Sequence, residues 1–317
     1  MSGGAFTGAV FLLSTLALPA GAGVATERDL VRRTLEHGGI ERTYHVHYPN
    51  RQRPAAPLPV VIVLHGGGGA GARSLAARTG FNGIADREGF IVVYPAGIDG
   101  QWNDGRGKTF RRAKDNTSID DVGFIAAIVD ALVVSGEGDR RRVYVAGVSN
   151  GGMMAQRVGI ELGSKVAAIA AVIANLPANL AGRAPVRPLP VLVMNGTADP
   201  LVPWHGGPVR VLGREYGHVL STEATVGYWV RAAGLPAEPD TRLLDDRDPR
   251  DRCRVEVRTY RASSRPEEVV LYSLQGAGHN LPGGRTPDLP KLVGPQCRDI
   301  NGSEVIWDFF ARHALTP

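Results

Sequence analysis

Six apolar, β-branched runs recur along this chain: PVVIVLH (59–65), FIVVYP (90–95), RVYVAG (142–147), VAAIAAVIA (166–174), PVLVMNG (190–196) and EVVLYSL (268–274). Continuous apolar runs of this length are what a parallel strand buried on both faces requires. Helix-compatible stretches lie between them, at roughly 119–135 with Ser118 or Asp120 as cap, 150–162, 220–233 and 303–314. Such alternation predicts an α/β fold built on a doubly wound sheet. Upstream, RTLEHGGIERTYHVHYP (33–49) reads as an antiparallel hairpin around Gly38 and Gly39, with Tyr44, Val46 and Tyr48 on one face. His45 and His47 share the other face. With no third ligand in view, that face reads as solvated rather than metal-binding.

The first strand is followed by a glycine run that satisfies two patterns at once. Gly66 to Gly71 fit G-x-G-x-x-G, the dinucleotide fingerprint, and His65–Gly68 read HGGG. A dinucleotide site needs an acidic residue at the end of the next strand to hold the ribose hydroxyls. That strand ends with Tyr94 and Pro95 instead, which argues against a nicotinamide-dependent oxidoreductase. GRGKT (105–109) fails as a phosphate loop, because Trp102 stands where its first glycine belongs.

RVYVAG runs into GVSNGG, so Gly147, Ser149 and Gly151 form G-x-S-x-G between a strand and a helix. This is the setting of a nucleophile elbow, where a serine sits in a strained turn with its hydroxyl projecting and glycines let neighbouring backbone pass. An elbow of this kind takes an acid and then a histidine, in that order, from loops after later strands. Asp199 follows the strand 190–195, and His279 follows the strand 268–274. Asp199 would hold the imidazole tautomer, and His279 would take the Ser149 proton and return one to the leaving alcohol. His205, His218 and His313 are less well placed. For the oxyanion, the candidate donors are the backbone N–H groups of Gly67 and of Asn150, with His65 bracing the glycine loop.

With these residues placed, the chain resembles the secreted poly(3-hydroxybutyrate) depolymerase and feruloyl esterase family. The matching words are LHGGGG (64–69), VVYPAG (92–97), WND (102–104), DDVGFI (120–125), GVSNGG (147–152), NGTADPLVPWHGG (195–207) and GHNLPGG (278–284). The resemblance implies an α/β-hydrolase fold, a mostly parallel central sheet with an N-terminal antiparallel hairpin and helices on both faces. It also implies a cofactor-free, metal-free serine esterase acting on polyesters or on cinnamoyl and acetyl esters. Family members often carry an aromatic where Leu281 stands and a cysteine where Gly67 stands. Trp102 and Trp204 are the candidate aromatic platforms for an acyl or phenyl group, with His65 and Leu281 as further candidate substrate contacts.

Residues 1–22 read as a signal peptide, an apolar run ending at the small-residue site Ala20-Gly21-Ala22, although its start carries no Lys or Arg. Residues 23–317 then form one catalytic domain, secreted to an extracellular or periplasmic space. No later segment reaches 18 uninterrupted apolar residues, so no membrane partner is expected. Cys253 and Cys297 suit one disulfide, closing a loop of about 45 residues worth roughly 4 kcal/mol; a free buried pair is the alternative. The net charge of +5 is spread among 36 basic and 31 acidic residues. The short basic runs Arg111–Arg112 and Arg140–Arg142 lack aromatics, which argues against nucleic acid. The partner expected is an ester or polyester substrate, met by a monomer. A peptidase or lactone hydrolase of the same fold, and a non-catalytic polymer-binding protein, are the remaining alternatives.

Overall fold

A computed structural model describes residues 30–49, 55–107, 117–285 and 289–316. The leader read from residues 1–22 and the Arg111–Arg112 run lie outside them. The strands are β1 Val31–His37, β2 Ile40–His47, β3 Leu58–Leu64, β4 Ile91–Pro95, β5 Gly138–Val148, β6 Ala168–Val172, β7 Val191–Gly196, β8 Gly207–Val211, β9 Arg214–Val219, β10 Asp240–Leu243, β11 Arg254–Arg261 and β12 Glu268–Gln275. The helices are α1 Ala72–Thr79, α2 Phe81–Glu88, α3 Asp121–Val134, α4 Asn150–Glu161, α5 Thr222–Ala232, α6 Pro290–Val293 and α7 Gly302–Phe310.

Ten strands form one sheet in the order β1-β2-β4-β3-β5-β6-β7-β12-β11-β10. The six central strands pair in parallel, and antiparallel strands flank them at both edges. The expected N-terminal hairpin is present; the second flank, β10 and β11, lies in a polar stretch that carries no apolar run. Each central strand is buried on both faces because its alternate side chains feed two separate cores. Val60, Ile62 and Leu64 meet α3, α4 and α5 on one side. Val61 and Val63 meet α1, α2 and α7 on the other. There Trp307 of α7 stacks on Phe90, and Phe310 stacks on Tyr144.

Two expectations need correction, and two helices lie outside them. The His45 and His47 face is not solvated: α2 lies over it, and His47 is buried with Nε2 bonded to Asp86 Oδ1 at 2.9 Å. Alternation along β2 identified the face without showing what covers it. The last helix ends at Phe310, where three-residue turn bonds from Arg312 and His313 tighten the chain, so His313 lies beyond it. Helices α1 and α2 were not expected, each being only eight residues long and closed by Gly80 and Gly89 in left-handed conformations.

Cys253 and Cys297 are joined by a disulfide. It pins the start of β11 to the segment after α6, and that segment backs the His279 loop. Gly278 N donates to Pro295 O at 2.7 Å, and His279 N donates to Val293 O. Replacing both cysteines by Ser should therefore lower stability by roughly 4 kcal/mol and loosen this loop in hydrogen exchange. Unchanged protection of residues 278–284 in the double variant would contradict that link.

Candidate active site

All the candidate catalytic side chains leave the sheet at the carboxyl ends of parallel strands, the edge at which open α/β sheets present their sites. Ser149 follows β5, Asp199 follows β7 and His279 follows β12. Ser149 has φ 55° and ψ −122°, a conformation that a non-glycine residue adopts only at a cost of about 1–3 kcal/mol. The neighbouring glycines make the turn sterically possible. A Cβ on Gly147 would lie 2.1 Å from Gly151 O, and one on Gly151 would lie 2.4 Å from Leu64 O. Ser149 begins α4, but its side chain makes no capping bond, so the hydroxyl is not tied to its own helix. Asn150, the next residue, occupies the first helical position, where the backbone N–H has no partner within the helix.

His279 Nδ1 lies 2.6 Å from Asp199 Oδ2, and both side chains are largely buried. The other oxygen, Asp199 Oδ1, accepts the N–H groups of Leu201 at 2.8 Å and Val202 at 2.9 Å. The carboxylate is thus fixed in orientation and aimed at the ring. In this arrangement Nδ1 carries a proton toward the acid and Nε2 remains able to accept one. Ser149 and His279 line the same cleft, of about 430 Å³, together with Gly66, Gly67 and Asn150. A groove of about 580 Å³ lies at the opposite, amino-terminal edge of the sheet, lined by Ala167, Pro190, Arg312 and Glu268 among others. It holds none of the candidate catalytic residues.

The WND word turns out to be scaffolding. Trp102 N donates to Asn150 Oδ1 at 2.9 Å, and Asn150 Nδ2 returns a bond to Trp102 O at 3.1 Å. Asn150 Nδ2 also donates to Asp104 Oδ2 at 2.6 Å, and Arg106 pairs with that carboxylate. Asn103 N donates to Asp121 Oδ2 at 2.7 Å, while Asp121 Oδ1 holds the buried Arg42 at 2.6 Å. His65 sits between the glycine loop and Gly97. Its Nδ1 faces Gly66 O at 2.8 Å, and its Nε2 accepts Gly97 N–H at 3.0 Å. Burial pulls the His65 ring below its ordinary value, which suits the neutral tautomer these two bonds need.

The predicted substrate contacts divide. Leu281 lines the cleft beside His279. Trp102 does not: at 1% exposure it lies under the site, its Nε1 donating to His65 O. Trp204, half-buried, packs against the core and is not among the cleft residues. His65 is buried beneath its loop. The aromatic ring that does line the cleft is Tyr216, on the hairpin of β8 and β9, which also supplies Val209 and Val211. These strands are five and six residues long and half exposed, so no apolar run marks them. Their only signal is the turn Leu212-Gly213. Arg106 also lines the cleft and fastens this hairpin, donating from Nη1 to Tyr216 O at 3.0 Å.

The chain is also similar to known esterases. Residues 44–179 match the family model described as esterase PHB depolymerase. A putative esterase, NocK, of Nocardia uniformis subsp. tsuyamanensis is 32% identical over 282 residues, 86% of this chain and 79% of that protein. Feruloyl esterase B of Piromyces equi is 26% identical over 195 residues, 61% of this chain and 34% of that protein. Among solved structures, an acetyl xylan esterase from Aspergillus awamori superposes with a TM-score of 0.56 at 14% identity, covering 89% of this chain and 99% of that one. The shared fold is that of the α/β-hydrolases.

Proposed function

Because the chain belongs to the esterase PHB depolymerase family, and is accordingly a carboxylic ester hydrolase, we propose that Ser149, His279 and Asp199 carry out its chemistry through an acyl-enzyme. His279 Nε2 takes the Ser149 proton as the hydroxyl oxygen attacks the ester carbonyl carbon. The resulting oxyanion is met by the N–H groups of Gly67 and Asn150, each worth roughly 3–4 kcal/mol to the transition state. Collapse of the intermediate expels the alcohol, protonated by His279, and leaves an ester on Ser149. Water, deprotonated by His279, then attacks that ester and releases the acid. The Asp199–His279 bond is the observation that carries this reading. Export through residues 1–22 to an oxidising compartment is part of the proposal, supported by the Cys253–Cys297 bridge. No helix among the described residues is long and apolar enough to cross a membrane.

The cleft favours aliphatic over cinnamoyl acyl groups. Its apolar wall is mostly aliphatic, Leu75, Ile173, Leu201, Val209 and Leu281 among others, with Tyr216 as its aromatic side chain apart from His279, and neither Trp102 nor Trp204 lines it. A 3-hydroxybutyrate trimer is therefore expected to be hydrolysed with a higher kcat/KM than methyl ferulate. Ser149→Ala should abolish turnover of both. Preference for the ferulate would overturn the substrate assignment, and full activity of Ser149→Ala would overturn the catalytic one.

A further inference from the structure

The cleft has an electrostatic asymmetry that hydrolysis of a neutral ester does not use. Among the described residues no aspartate or glutamate lines it, whereas two arginines, Arg78 and Arg106, do. Their situations differ. Arg106 is buried and neutralised by Asp104, with Nη2 to Oδ2 at 2.7 Å and Nε to Oδ2 at 2.8 Å. Arg78, in the last turn of α1, is exposed, and no acid among the described residues pairs with it.

Arg78 is also held against the catalytic histidine's own loop. Its carbonyl accepts Arg285 N–H at 2.9 Å, and Arg285 lies six residues beyond His279. A smaller groove of about 250 Å³ shares Arg78 and Thr79 with the cleft and is lined also by Arg87, Arg285, Asn301 and Glu304. Arg87 is spent on Glu88 and Glu304; Arg285, like Arg78, has no acidic partner among the described residues. Beside Leu75 and Leu281 the cleft therefore presents Arg78, with Arg285 in the adjoining groove, and neither guanidinium has an acidic partner among the described residues. A charge arrangement of one sign over low-dielectric walls concentrates ligands of the opposite sign, and a guanidinium matches a carboxylate in geometry.

We propose that Arg78, supported by Arg285, is a specificity-determining residue that binds a carboxylate on the substrate away from the scissile bond, so that the enzyme selects anionic esters. The inference rests on the esterase reading given above. Two sources would supply the same chemistry: the free acid end of a hydroxyacid oligomer, or an acidic group on the alcohol that leaves.

The test compares kcat/KM for 4-acetoxybenzoate with that for its neutral methyl ester, in the wild type, Arg78→Gln and Arg78→Lys. The anionic-to-neutral ratio should fall about fivefold in Arg78→Gln, the size expected of a solvent-exposed charge-assisted pair. It should be partly restored in Arg78→Lys, and should fall with added salt in the wild type. The 3-hydroxybutyrate trimer and its methyl ester, compared in the same way, identify the source: a ratio that responds to Arg78→Gln only for the trimer pair assigns the contact to the oligomer's acid end. Ratios unaltered by Arg78→Gln in both pairs, with turnover intact and abolished by Ser149→Ala, would overturn the inference and leave the esterase reading standing. Absence of turnover on every one of these esters would overturn both.

Discussion

Asp199→Asn should lower kcat about 10⁴-fold with little change in the folded structure. The two backbone N–H groups of Leu201 and Val202 that bind Asp199 Oδ1 can bind the amide oxygen equally well, so the loop stays in place. The amide nitrogen is then turned toward His279 Nδ1, where the carboxylate oxygen sat at 2.6 Å. An NH₂ group there donates to Nδ1 and forces the proton onto Nε2, which can no longer accept one from Ser149. The imidazolium that forms during attack also loses its counter-charge. Steady-state rates combined with a thermal melt separate the two halves of the expectation. A loss below about tenfold would mean that Asp199 does not orient the base.

The second large effect lies away from the chemistry. Asp121→Ala should destabilise the protein by about 3–5 kcal/mol, because it leaves the guanidinium of Arg42 buried without a counter-charge. Arg42 is 2% exposed and lies 4.0 Å over the Phe124 ring, and its Nη2 also donates to Ala96 O at 3.3 Å. Asp121→Ala also removes the acceptor of Asn103 N–H. That residue adjoins Trp102, whose backbone holds the Asn150 side chain, so kcat should fall along with stability. Arg42→Met with Asp121→Leu should restore most of the stability, since a buried ion pair can be replaced by apolar side chains of similar volume. Urea titrations with unchanged m-values measure both effects. A loss of less than about 1 kcal/mol for Asp121→Ala would show that water reaches Arg42 and the pair is not buried in solution.

What could be read from the sequence, and what could not, divides along physical lines. The six apolar runs mark strands because only burial on both faces demands such continuity, and all six are parallel neighbours in the central sheet. The positions of Ser149, Asp199 and His279 at one edge of the sheet could be read because each stands just past one of those runs. The roles of Trp102 and Trp204 could not. A tryptophan in a loop after a strand has the same local pattern whether it faces a cleft or lies beneath one, and Trp102 is held beneath by its bond to His65 O. The Arg42–Asp121 pair joins residues 79 positions apart, and no local spacing encodes such a pairing. The wall that brings Tyr216 into the cleft belongs to short, half-exposed strands in which alternation is faint. Arg78 was invisible for another reason. Its significance comes from its place at the cleft without an acidic partner among the described residues, not from its neighbours in the chain.

The proposed mechanism requires that Ser149 become acylated. The direct measurement is to mix the enzyme with p-nitrophenyl acetate, quench in acid during the burst, and map the acetylated peptide by mass spectrometry in the wild type and in Ser149→Ala. The predicted result is an acetyl group on Ser149 that accumulates with the burst and is absent from the variant. Release of p-nitrophenol without acylation at Ser149, or acetylation of another residue that persists in Ser149→Ala, would contradict it.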